Sequence, residues 1–186
     1  MAERFRLTPE DEVRRKYRKT GVVVFVFNEE DNVLLLRENT SNQATEKEAG
    51  KYGVLCETSL EGEGWEKTVL RAFKEELGMG ERNINEILRV DPKNCFLGEK
   101  LFVPEVLART CAVNWVGRAD RIFDFRGDGE VEIVGWEKLV NLMTYPLRTG
   151  VENVLKQCLE EGVFQKTWAS EELVPISIGS LGMAIE

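Results

Sequence analysis

The stretch Glu57–Met79, ETSLEGEGWEKTVLRAFKEELGM, concentrates the chemistry of this chain: an acidic loop runs into a helix whose last turns carry the adjacent carboxylates Glu75 and Glu76. On a helix, positions three and four apart share a face, so carboxylates at 72, 75 and 76 would converge on one point. Only Glu75 and Glu76 are present. Position 72 is Ala, an excellent helix former that supplies no ligand, base or charge. Two adjacent like charges are costly unless a cation offsets them, and oxygen donors of this kind suit Mg²⁺ or Mn²⁺, which keep waters and bridge to phosphate oxygens. The competing reading is an ordinary solvated pair on a Lys- and Glu-rich surface helix. The 186 residues include no His, which excludes His triads, His metal sites and a His base. Acid–base work then falls mainly to carboxylates, with Lys, Tyr or Cys as secondary candidates.

Around the Glu pair, Glu63, Arg71, Phe73, Gly78 and Met79 fall at further spacings that matter together. The segment resembles a Nudix box: a Gly, five residues, a Glu, seven residues, then Arg-Glu-U-x-Glu-Glu-x-Gly-U, where U is bulky and apolar. Seven of its nine fixed positions are filled, and the departures are Glu57 at the opening Gly and Ala72 at the Glu after the Arg. The resemblance is specific over the box and extends loosely, through strand order, across residues 20–160. It implies a Nudix-like α/β/α sandwich with a mixed β-sheet. It also implies a hydrolase that uses Mg²⁺ or Mn²⁺ to neutralise a diphosphate and activate water, cleaving the pyrophosphate bond of a nucleoside diphosphate linked to another moiety.

Under that resemblance Glu75 and Glu76 are the retained metal ligands, Arg71 and Glu63 orient and brace the carboxylates, and Gly78 ends the helix. Glu57 is a candidate third ligand, one carboxylate gained near the place where Ala72 has lost one; a Glu57 turned to solvent is the alternative. Glu130, in the Gly-rich turn six residues before Trp136, is the candidate base, preferred to Glu132 because a loop residue can reach inward. Arg37, at a strand end, is the candidate for the substrate phosphates, and a routine surface role competes with it. The competing function is a catalytically silent Nudix-fold protein that binds a nucleotide or metabolite, which the changes at 57 and 72 favour.

The elements that must position these residues are legible as apolar patterning. Thr8-Pro9-Glu10-Asp11 predicts a short helix to about Arg18, with Thr8 as its cap. Gly21–Phe27 predicts a buried central strand, and Asn28–Asn32 turns it into Val33–Arg37 as a hairpin. Glu38–Gly50 is a polar loop, and Tyr52–Cys56 leads extended into the box. Val69, Leu70, Phe73 and Leu77 have helical spacing. Glu86–Val90, Val106–Val116, Ile122–Phe125 and Val131–Trp136 predict strands, separated by Asp91-Pro92, Gly117 and the turn Gly127–Gly129. Val151, Val154, Leu155, Cys158 and Leu159 mark a second amphipathic helix, and Trp115, Phe123 and Phe125 are expected in the core rather than stacked on a base.

A composition of 42% hydrophobic and 31% charged residues suits one domain over 20–162, with a helical extension at 1–19 and a C-terminal extension at 163–186 that packs on it or contributes to a homodimer. The net charge of -8 argues against general nucleic-acid binding, while a local site can still take a phosphorylated small molecule. Cys56, Cys95, Cys111 and Cys158 lack metal or disulfide spacing and read as buried thiols. With neither a signal-like start nor a membrane-length apolar run, the chain is expected to be cytoplasmic and away from membranes.

Overall fold

The apolar run expected at the centre forms β1 (Lys19–Phe27) of the computed structural model, which describes residues 7–43, 47–89 and 95–166. Its side chains alternate between two cores, Val22, Val24 and Val26 entering one and Val23, Phe25 and Phe27 the other. A strand covered on both faces has this pattern, since successive side chains point to opposite sides of the sheet. β1 meets β2 (Asn32–Glu38) only at Phe27↔Val33; β4 (Leu55–Thr58) then takes over its edge at Gly21–Val24. The expected hairpin therefore opens after one pair, and β2 instead joins β3 (Tyr52–Gly53) and β8 (Val131–Lys138). On its other edge β1 runs parallel to β7 (Val106–Trp115), from Lys19↔Val106 to Phe27↔Asn114. β5 (Leu88–Arg89) and β6 (Phe96–Val103) pair antiparallel with β7. One mixed sheet of eight strands results among the described residues.

Helices cover both faces. The short α1 (Glu10–Lys16) precedes the sheet, α2 (Trp65–Leu77) lays Val69, Phe73 and Leu77 on the first core, and α3 (Glu81–Ile87) follows it with Ile84 and Ile87 buried. α4 (Thr149–Glu160) lays Val151, Val154, Leu155 and Cys158 on the second core. The expected α/β/α sandwich with a mixed sheet is the observed fold. All four cysteines are free and buried.

Four local expectations are corrected. Thr8 does not cap α1: Pro9 holds the cap position with no side-chain bond, and the Thr8 hydroxyl donates to Glu99 Oε2 at 2.5 Å instead. Glu86–Val90 is not a strand over its length, because Ile84 and Ile87 are spaced for a helix face and α3 continues to Ile87 before two residues of β5. Ile122–Phe125 falls in a 3₁₀ turn over Ala119–Asp124 and just beyond it. That turn is fixed by indole N–H groups, Trp115 donating to the Arg118 carbonyl at 3.2 Å and Trp136 to that of Ala119 at 2.8 Å. Phe123 is consequently exposed, whereas Trp115 and Phe125 are buried as expected. β6 was not anticipated. Asp91-Pro92 lies outside the described residues, as do 1–6 and 167–186 of the two extensions; Phe164 packs edge-on against Phe25, with ring centroids 5.0 Å apart.

Gly78 ends α2 in the left-handed region, at φ 68°, where the absence of a side chain costs nothing. A Cβ there would lie 1.8 Å from the Arg126 carbonyl oxygen. Gly78→Ala is expected to lower stability by more than about 1 kcal/mol, read as a reduced urea midpoint at unchanged slope.

Candidate active site

The acidic loop and α2 are joined through Arg71. Its Nε and Nη2 donate to the two oxygens of Glu63, at 3.1 and 3.0 Å, a bidentate match of planar fork to carboxylate. Nη1 lies 3.2 Å from Glu57 Oε1 and donates to Glu75 Oε2 at 3.1 Å, and Nη2 also donates to the Thr58 carbonyl. One cation thus holds three carboxylates from the end of β4, the loop and the helix. Glu63 further accepts from the Leu60 N–H at 2.9 Å and the Thr68 hydroxyl at 3.0 Å. The Arg71 bonds, helped by these two, hold the Glu63 carboxyl down to about 2.

Glu76, one position along, faces inward and is only 4% exposed. Burial pushes its carboxyl up to about 8, and the nearby charges of Glu38 and Glu57 add to that against the opposing effect of Lys47. The Lys47 Nζ lies 3.4 Å from Glu76 Oε1 and donates also to Glu130 Oε2. Burial works against this ammonium, but Glu76, Glu130 and Glu38 outweigh it and hold it charged above the ordinary lysine range. Behind it Glu38 pairs with buried Arg148 at 3.1 Å. Burial leads the upward shift of the Glu38 carboxyl, opposed by Arg148 and Lys47.

Glu76, Lys47, Glu130 and Arg148 line a cleft of about 220 Å³ beside the N-terminal halves of β1 and β7. Two close backbone approaches shape it. A Cβ on Gly21 would sit 2.5 Å from the Glu57 carbonyl oxygen, and one on Gly127 would sit 1.9 Å from that of Glu76. The second contact, with the Asp128 N–H donating to the Glu75 carbonyl at 3.0 Å, seats the turn before β8 on the last turns of α2 and brings Glu130 over the cleft. The segment after β2 is tied to that turn, since Asn39 donates from its backbone to the Glu130 carbonyl at 2.9 Å and from its side chain to that of Gly129 at 3.1 Å.

Of the residues singled out by sequence, Glu57, Glu75, Glu76 and Glu130 line this cleft together. Glu63 and Arg71 stand behind them, and Ala72 is fully buried in the first core. Arg37 is not among the lining side chains: it pairs with Glu132 across β2 and β8, both about half exposed. Cys56 reaches the cleft, but burial pushes its thiol well up and leaves it a poor nucleophile. Sequence reasoning passed over Lys47 and Arg148, both lining the cleft. Lys47 is a lone cation between two Glu in a patternless loop, and nothing in that spacing distinguishes it.

Glu57, Glu75, Glu76, Asp128 and Glu130 give the cleft hard oxygen donors, and the donor chemistry fits Mg²⁺ or Mn²⁺. Among the described residues, however, no three carboxylates or thiols are arranged to hold an ion. Arg71 holds Glu57 and Glu75, and Lys47 holds Glu76 and Glu130. The donors fit the ion in kind while the chain's own cations stand against them.

The family model of the NUDIX domain matches residues 17–158, and the chain belongs to that family. Solved structures with the same fold include the MutT protein of Methanosarcina mazei, at 18% identity over 77% of this chain and 94% of that one, TM-score 0.53. A protein of Deinococcus radiodurans matches at 16% identity over 76% and 83%, TM-score 0.54. The Nudix domain of Shewanella oneidensis NrtR, complexed with ADP ribose, matches at 18% identity over 83% and 99%, TM-score 0.52. No curated protein sequence matches the chain.

Two outcomes are expected from the Arg71 cluster. Arg71→Met, which leaves three carboxylates crowded and unpaired, should lose about 2–4 kcal/mol in chemical denaturation. Because the folded Glu63 carboxyl is depressed below its ordinary 4.5, its contribution is complete above that pH and disappears as pH falls to about 2. Glu63→Gln should therefore flatten the dependence of stability on pH between those limits, as measured by urea unfolding along a pH series.

Proposed function

We propose that the protein is a divalent-metal-dependent hydrolase that cleaves the pyrophosphate bond of a nucleoside diphosphate linked to another group. The observation that carries this reading is the charge of the cleft. Five acidic side chains, Glu57, Glu75, Glu76, Asp128 and Glu130, face three cationic ones, Lys19, Lys47 and Arg148. Even with Glu76 protonated the acids are in excess, and an anionic diphosphate would be repelled unless positive charge entered with it. Glu76, Glu75 and Glu57 would hold Mg²⁺ or Mn²⁺, which when bound supplies charge neutralisation at the phosphates and a water acidic enough to attack phosphorus.

The chain's own residues would do the rest. Arg71, through Glu57 and Glu75, fixes the carboxylates along one edge of the cleft. Lys19 and Arg148 line the cleft and would meet the anionic ligand. Glu130, on the turn that lines the cleft, would take the proton of the attacking water, and the oxygen delivered to phosphorus would appear in one of two phosphate-bearing products. The substrate class is that of the ADP ribose complexed by the Shewanella domain. A second reading, a silent binding protein for the same class of molecule, is favoured by Ala72, which contributes no carboxylate, and by the pairing of Glu76 with Lys47.

The test is a panel of nucleotide sugars, dinucleotides and nucleoside triphosphates, each with Mg²⁺ or Mn²⁺, with products separated by ion exchange. Conversion of one nucleoside diphosphate derivative to two monophosphates, with ¹⁸O from water in one of them, is expected. Glu130→Gln should reduce that turnover on the order of a hundredfold. Saturable binding of a panel member by calorimetry without any turnover would replace the first reading with the second.

A further inference from the structure

Lys47 is unusual for a loop lysine. Its side chain is only 8% exposed, although lysine is almost never buried without partners. It enters from a loop pinned by reciprocal backbone bonds with Asn42, each 3.0 Å, and its Nζ lies between a carboxylate of α2, Glu76, and one of the turn before β8, Glu130. Those two elements meet nowhere else through side-chain charge among the described residues. Desolvating an ammonium and a carboxylate is expensive, and geometry that places several oxygens around one nitrogen is what offsets it. The same oxygens are the ones a hard divalent ion would need, and two cations cannot share Glu76 at contact distance without strong repulsion.

We infer that the Lys47 ammonium is a tethered cation occupying the divalent-ion position of the carboxylate cluster, so that a metal ion enters only as this side chain withdraws. The inference rests on the reading of the cleft as a cation-assisted diphosphate site, and it makes Lys47 the gate of that site. The lysine supplies one positive charge where the ion would supply two. It keeps Glu76 and Glu130 together in the resting protein but leaves the excess of negative charge that turns a diphosphate away. Lys47 is thus a positioning residue that competes with the ion.

The experiment measures Mn²⁺ binding directly, by calorimetry and by the electron paramagnetic resonance of free Mn²⁺, on the full chain without substrate. Lys47→Gln keeps most of the stem and a polar end but removes the charge; Lys47→Arg keeps a charge in place. The expected result is at least about tenfold tighter Mn²⁺ binding for Lys47→Gln than for the wild type, Lys47→Arg remaining like the wild type, and the gain vanishing in Lys47→Gln/Glu76→Gln. Wild-type binding as tight as that of Lys47→Gln overturns the inference, as does a gain that survives the Glu76 substitution. Should circular dichroism show that Lys47→Gln does not fold, ¹⁵N spectra of lysine side chains in the wild type take its place. Loss of the slowly exchanging Lys47 ammonium signal in step with Mg²⁺ binding supports the inference, and Mg²⁺ bound with that signal retained overturns it. Tight Mn²⁺ binding by Lys47→Gln with no hydrolysis of any panel substrate leaves the inference standing and removes the hydrolase reading. Full wild-type turnover with no effect of Lys47→Gln on Mn²⁺ affinity does the reverse.

Discussion

The bidentate grip of Arg71 on Glu63, extended to Glu57, Glu75 and the Thr58 carbonyl, is the constraint on which the rest of the site depends. Three carboxylates this close would repel one another, and a partly buried guanidinium alone would be costly; together they offset both costs and fix four chain positions relative to one another. The end of β4, the acidic loop and the middle of α2 consequently behave as one rigid corner. Once Glu75 is held on the Arg71 side, the helix turns Glu76 into the interior. The depth of Glu76, and so the elevated proton affinity of its carboxyl, follows from a grip in which it takes no part.

Two charge networks therefore lie side by side with different physical characters. The one around Arg71 is a structural clamp in which every carboxylate has a permanent partner. The one around Glu76, Glu38, Lys47 and Arg148 is deeper and less balanced: the carboxyls of Glu76 and Glu38 are both shifted up by burial, and one oxygen of Glu38 is buried with no hydrogen-bond partner among the described residues. Imbalance in a desolvated place is characteristic of sites that await another group. Lys19 lines the same cleft as Glu76, Lys47 and Arg148.

The sequence was most informative where a period or a fixed spacing reported burial. β1, β7, α2 and α4 carry clean apolar patterns and appear where those patterns put them, and the box spacing singled out Arg71, Glu63, Glu75 and Glu76 without showing that Glu76 alone of the pair is buried. It failed where a tertiary partner decided the local structure. The 3₁₀ turn at Ala119–Asp124 exists because two indoles seize its carbonyls from other strands, and nothing within the turn announces them. The opening of the β1–β2 hairpin depends on β4, which arrives from twenty residues further on and takes the vacated edge. Lys47 was invisible for the same reason: its burial is a property of Glu76 and Glu130, not of its own loop.

The contact of Gly127 with the Glu76 carbonyl has its counterpart in that of Gly78 with the Arg126 carbonyl, so main chain rests on main chain at two adjacent points of the seam between α2 and the turn before β8. The spacing between the interior carboxylate and the turn that carries Glu130 is therefore set by the van der Waals radii of peptide atoms. Repacking of either hydrophobic core can shift side chains without altering that spacing. The seam acts as a datum surface: the cleft can vary in what lines it while its depth at this corner stays the same.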